Sequence, residues 1–108
     1  MSSSKDPKSE SPKEHLAKYG ADSLSIQELL ALLFFPGYSK DKAIEIIVNL
    51  LKTFDGNLIN LFTATIHQLT QVKGIGVVEA CQIKAVFELG NRAESYREKM
   101  HPRNYLQR

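Results

Sequence analysis

Apolar residues recur at positions 43, 46, 47, 50, 51 and 54, the 3.6-residue period of one buried helix face. Read the same way, the rest of the chain predicts further helices. A short helix is expected over 13–19, stopped by Gly20, which accepts positive φ without a Cβ clash. Ser25 and Glu28 have capping-box spacing: the hydroxyl can accept from the N3 amide while the carboxylate reaches back to the N-cap amide. The helix they open, 26–35, is apolar almost all round and is expected to be central, until Pro36 and Gly37 stop it. Ser39 is the next N-cap, and the helix carrying the 43–54 face runs to Asp55 and Gly56. Residues 58–62 suggest a helical turn, and Thr65 with Gln68 repeats the capping box before a brief helix to Val72. Beyond Gly74, Ile75 and Gly76 a long helix is predicted over 77–98, with apolar residues at 80, 83, 87 and 90 and a second row at 86, 89, 93, 96 and 100. His101 and Pro102 end it. The best strand candidate, 74–78, is too short and too Gly-rich to seed a sheet. The expected fold is all-α, a small orthogonal bundle of five to six helices.

Composition narrows the function more than the fold. A chain of 108 residues, 43% hydrophobic and 24% charged, suits a single soluble core. Residues 1–12 hold almost no apolar side chain, and their composition predicts a tail without fixed structure. The ordered domain is expected over 13–93, with 94–108 as the end of the last helix and the start of a linker. The single cysteine, Cys81, excludes an internal disulfide framework and fits a reducing, cytoplasmic setting. No apolar run approaches the ~18 residues of a membrane span, so no membrane partner is expected. His15, His67 and His101 lie far apart in sequence, outside any metal-ligand spacing such as H-x-H or H-E-x-x-H. With no nucleophile–base pair either, the chain is not expected to be an enzyme, and no cofactor is expected in it.

Charge is unevenly spread within the net +2. Residues 15–72 carry four basic and five acidic side chains, whereas residues 73–108 carry seven basic and four acidic. The basic excess therefore begins at Lys73. A solvated helix face explains such an excess, and so does a footprint for a polyanion.

The stretch at that boundary has the pattern h-x-x-h-x-G-h-G-x-x-x-A-x-x-h, carried by Leu69, Val72, Gly74, Ile75, Gly76, Ala80 and Ile83. Leu69 and Val72 anchor the first helix, and the two glycines permit a turn tighter than a Cβ allows. Ile75 plugs the angle between the helices, and Ala80 is small enough for a close crossing. Such a hairpin points the amides of Gly74, Gly76 and Val77 outward at a helix start, where anions are favoured. Lys73 and Lys84 flank it and are expected to add charge-assisted contacts. A weaker second copy lies upstream: 30–33 as first helix, Gly37, Tyr38 and Ser39 with Lys40 and Lys42 at the connection, and 43–46 as second helix. It has one glycine rather than two and is expected to have a longer loop. A Rossmann reading of Gly74 to Gly76 fails, because Glu79 stands where the third glycine belongs and no strand precedes it. A P-loop reading fails for want of Gly-Lys-Ser/Thr.

The downstream pattern resembles the helix-hairpin-helix motif, a sequence-independent binder of the DNA backbone, and two such units imply a double helix-hairpin-helix domain. The resemblance extends along the chain. His15 to Gly20, then Leu24, Ser25, Glu28 and the Leu-rich run to Leu33, then Leu50, Leu51, Phe54 and Gly56, then Val72 to Gly76, and finally Ala80, Gln82, Lys84, Ala85, Glu88 and Leu89 resemble the N-terminal domain of the bacterial RadC family. That resemblance implies weak, non-specific DNA binding in support of a C-terminal JAB/MPN-type metal-dependent hydrolase domain. The family carries a DNA-repair label, and the resemblance implies that zinc and a metallopeptidase-like activity belong to the C-terminal domain, which is expected to be absent from this chain. Carried over by position, the nucleic-acid contacts are Lys73, Gly74, Ile75, Gly76, Val77 and Lys84. A monovalent cation on the Val72 and Ile75 carbonyls is a further implication. The chain departs from the family at residues 34–38, where a basic turn is usual, and at Glu79, where lysine is frequent; the latter sets an acid beside the phosphate seat.

The alternative reading is a protein-interaction or self-association module that positions the hydrolase domain, prompted by the low net charge, Glu79 and the apolar 34–38 turn. Cys81 is expected to be a partly buried structural thiol, His67 an exposed surface residue, and Phe34, Phe35 and Tyr38 core. Gly90 is expected to mark a close helix crossing or a kink.

Overall fold

A computed structural model describes residues 11–100, which form six α-helices and one 3₁₀ turn, with no strand among the described residues. The helices are α1 (Pro12–Tyr19), α2 (Ile26–Phe34), α3 (Lys40–Thr53), α4 (Leu58–Thr63), α5 (Ile66–Thr70) and α6 (Val77–Met100), with the 3₁₀ turn at Ala21–Ser23. The all-α expectation holds. The helix stop at His101 and Pro102 and most of the N-terminal tail lie outside the described residues. The tail was expected to reach Pro12, but Ser11 already caps α1 and Pro12 is its first residue.

Side-chain caps set most of the helix starts. Ser25 accepts from the Glu28 amide at 3.1 Å while Glu28 accepts from the Ser25 amide at 2.8 Å. Thr65 and Gln68 form the same reciprocal pair, at 3.0 and 2.9 Å. A third box joins Ser11 and Glu14, the same S-x-x-E spacing in a stretch whose polar composition hides it. Removing such a cap costs on the order of 1 kcal/mol.

The core forms where the apolar faces converge. Ile47, Leu50, Leu61, Leu69 and Ile83 are fully buried, one or two each from α3, α4, α5 and α6. Leu30, Ala31 and Phe34 of α2, with Phe35 after it, close the other side. The predicted face of α3 is confirmed in full: residues 43, 46, 47 and 50 are buried and 51 and 54 half-buried. The α2 helix is less enclosed than its composition suggests, because Ile26 and Leu33 remain exposed. Phe62 of α4 stacks on Phe87 of α6, with ring centroids 5.2 Å apart. That stack is the outer limit of packing along α6, and every residue from 88 to 100 is exposed.

Candidate nucleic-acid interface

Two hairpins share one register. Moving back thirty-seven residues from Leu69, Val72, Gly74, Ile75, Gly76, Ala80 and Ile83 lands on Leu32, Phe35, Gly37, Tyr38, Ser39, Ala43 and Ile46. The hydrogen bonds repeat with the residues. Ile75 N–H donates to the Val72 carbonyl at 3.0 Å, and Tyr38 N–H to the Phe35 carbonyl at 3.1 Å. Ala80 N–H donates to Gly76 O at 2.9 Å, and Ala43 N–H to Ser39 O at 3.0 Å. The upstream connection was expected to be the longer of the two and is not: residues 35–39 join α2 to α3, whereas residues 71–76 join α5 to α6. Ser39 caps α3 as its sequence position predicts, so the helix starts at Lys40 and the connection ends there rather than at the first apolar residue, Ala43.

The downstream hairpin sits directly on the upstream one. Gly74 has φ +94°, and a Cβ there would lie 2.9 Å from Cγ1 of Ile46 and 3.0 Å from its Cγ2. Glycine is thus required twice, by the backbone angle and by the space. Ile75 and Val72 are buried as the motif requires, and Ala80 and Ile83 are wholly enclosed. Gly76 has a different reason, because its φ is not positive. Its N–H donates to Oε1 of Glu79 at 2.8 Å, and a Cβ would come within 3.1 Å of that oxygen. The carboxylate occupies a donor on which a phosphate was expected.

The start of α3 is capped the other way round. Ser39 Oγ accepts the Lys42 N–H at 3.2 Å, and the residue at the Glu79 position is Lys42 itself. Each helix start holds one half of a capping box. The downstream start is closed by its own acid; the upstream start carries a cation at the same place. Gly37, Tyr38, Ser39, Lys40 and Lys42 are all exposed, as are Lys73, Gly74, Gly76 and Val77. Beside the upstream hairpin lies a cleft of about 360 Å³ lined by Phe35, Pro36, Tyr38 and Lys40 with Lys13 and Glu14 of α1. Lys13 is a basic neighbour that no local pattern relates to Lys40; only the docking of α1 brings it there.

Four expectations change. Lys84 does not flank the phosphate seat. Its Nζ is half-buried and donates to the Phe62 and Ala64 carbonyls at 3.1 and 2.7 Å, so its charge closes the C-terminal end of α4. A cation there is favoured by the unpaired carbonyls and dipole of the helix end. The contact spans twenty residues of sequence, so spacing on α6 alone could not reveal it. Cys81 is exposed rather than partly buried. Tyr38 is half outside the core, with its ring edge on Phe35 at 4.9 Å. Gly90 marks no close crossing, since a Cβ there would meet nothing within 4 Å. The Val72 carbonyl, assigned with that of Ile75 to a monovalent cation, accepts the Ile75 N–H. His67 is exposed, as expected. Among the described residues no three His, Cys, Asp or Glu side chains are grouped so as to hold a metal ion. Among them, too, no helix is long and apolar enough to cross a membrane.

The family model described as UPF0758 N-terminal matches residues 4–81. The chain belongs to the UPF0758 family, the RadC-like family. It is 40% identical over 81 residues to a UPF0758 protein of Thermotoga maritima, covering 75% of this chain and 36% of that relative. A UPF0758 protein of Clostridium botulinum is 43% identical over 91 residues, covering 84% of this chain and 40% of the relative. The chain thus matches about two-fifths of the length of these curated UPF0758 relatives. No solved structure matches it significantly. The family match ends at Cys81, so it takes in both hairpin loops and the start of α6.

Proposed function

We propose that this UPF0758 domain is a non-catalytic module that takes nucleic-acid backbone phosphates weakly and without sequence preference, through its two hairpins. The observation that carries this reading is the shared register of the hairpins, with two exposed helix starts and Lys40, Lys42 and Lys73 around them. Backbone amides and lysines at helix starts read phosphate rather than bases, so the binding carries no sequence information. The greater weight in this reading falls on the upstream hairpin. The downstream one must release Glu79 from Gly76 before an anion can enter, whereas the upstream one presents Lys42 at that position. With two to four phosphates touched, the dissociation constant is on the order of 10⁻⁴–10⁻⁵ M and rises steeply with salt. The chain matches about two-fifths of its longer relatives, and the RadC resemblance implies that such a module would support a cytoplasmic JAB/MPN metal-dependent hydrolase domain in the remainder. Fluorescence anisotropy on a labelled duplex at 50 and 200 mM salt tests the reading. Salt-sensitive binding lost in Lys40→Glu/Lys42→Glu supports it, and no binding at the lower salt contradicts it.

A second reading, a protein-interaction module, is favoured by a different observation than the one that suggested it. The 34–38 turn buries both phenylalanines. The apolar side chains that favour it are instead on α6, where Leu89, Tyr96 and Met100 are exposed.

A further inference from the structure

Beyond the Phe62–Phe87 stack, α6 continues through residues 88–100, all of them exposed among the described residues. Leu89, Tyr96 and Met100 are 67%, 64% and 55% exposed. With half-buried Val86 and exposed Ala93 they fall at 86, 89, 93, 96 and 100, a 3-4-3-4 spacing that sets all five on one stripe. The spacing is that of a coiled-coil seam.

The charges beside the stripe identify what fits it. At 100° per residue, Arg92 and Lys99 border one side of the stripe and Arg97 the other, while Glu88, Glu94 and Glu98 point further away. Arg92 and Arg97 are paired on their outer sides with Glu88 and Glu94, exposed contacts that hold the guanidinium groups along the border and exchange readily. A second copy of the chain does not suit this border. Parallel pairing sets Arg92 against Arg97 of the other helix, and antiparallel pairing sets Arg92 against Lys99. Like charges across a seam disfavour both.

We infer that the C-terminal half of α6 is a docking surface for an amphipathic helix of a partner protein, apolar along its seam and acidic at its flanks. The inference deepens the protein-interaction reading and is independent of nucleic-acid binding.

The test uses the 108-residue chain and two labelled synthetic peptides of three heptads, both with Leu at a and d. One carries Glu at e and g, the other Lys. The expected result is binding of the Glu peptide alone, weakened at least tenfold by Leu89→Asp/Tyr96→Asp and by Arg92→Glu/Arg97→Glu. The substituted side chains are exposed, so the variants keep the native fold, checked by circular dichroism. Equal binding of both peptides overturns the acidic partner while leaving an interaction surface in place. A dimer in sedimentation that Leu89→Asp dissolves assigns the stripe to a second copy and overturns the inference. Binding of neither peptide overturns both the inference and the interaction reading on this face.

Discussion

Oε1 of Glu79 accepts the N–H of Gly76 at 2.8 Å, so the downstream hairpin meets the anion-seeking start of α6 with a carboxylate of its own. The contact serves the fold, because it satisfies a helix-start amide and sets a negative charge at the positive end of the helix. It opposes a phosphate at the same amide by occupancy and by charge. Replacing Glu79 with Gln removes the charge while keeping an acceptor. The variant is expected to bind duplex DNA several-fold more tightly at 50 mM salt, at a stability cost of up to about 1 kcal/mol. Anisotropy and urea unfolding measure the two effects; unchanged affinity removes Glu79 from the account.

Gly74 and Gly76 are alike in the motif and unlike in the structure. Gly74→Ala combines a left-handed backbone with a clash against Ile46 and is expected to destabilise by roughly 2–4 kcal/mol. Gly76→Ala meets only the end of the Glu79 side chain, which can move, so its cost is expected to stay below about 1 kcal/mol. Ile46→Ala, which removes the clashing Cγ1 and Cγ2, should make the Gly74→Ala cost smaller than it is in the native chain, which a double-mutant cycle in urea reads as coupling. Equal costs at the two glycines contradict the distinction.

The two lysines flanking the downstream motif separate in the same way. Lys84→Met keeps the apolar stem and leaves the Phe62 and Ala64 carbonyls without their donor. It is expected to lower stability by roughly 1.5–3 kcal/mol, with the salt dependence of DNA binding unchanged. Lys73→Met should leave the urea midpoint in place and reduce the slope of log K against log salt by about 1. An exchange of these phenotypes refutes the placement of Lys84.

Exposure of the lone thiol has a direct readout. Cys81 is on the surface, so a maleimide should label the folded chain to one equivalent without denaturant. Labelling that requires unfolding restores the buried thiol expected from sequence.

The elements most legible in the sequence were those with local causes. The α3 face follows from apolar spacing, and two of the three capping boxes from hydroxyl and acid or amide residues three apart. The Leu69–Ile83 hairpin follows from small residues where backbone must turn or approach. What escaped were relations between distant segments. That Lys84 closes α4, that Lys13 borders the upstream hairpin and that Gly74 rests on Ile46 depend on tertiary docking, which no window of sequence contains. The register of the upstream hairpin was partly legible. Its Ala43 and Ile46 were recognised, but a serine in place of the second glycine disguised the loop, although Ser39 caps α3 as a serine should. The 86–100 row of α6 was visible as periodicity. Periodicity states that a face is apolar, not whether the same chain covers it.

On the proposed function, phosphate is taken at both hairpin loops, and more readily upstream. Amide chemical-shift mapping of the ¹⁵N-labelled chain with a short duplex at 50 mM salt tests it most directly. The amides at 37–42 and, more weakly, those at 73–77 are expected to shift, both effects fading at 200 mM salt while 88–100 stays in place. Shifts confined to 88–100, or none at either loop, would contradict it.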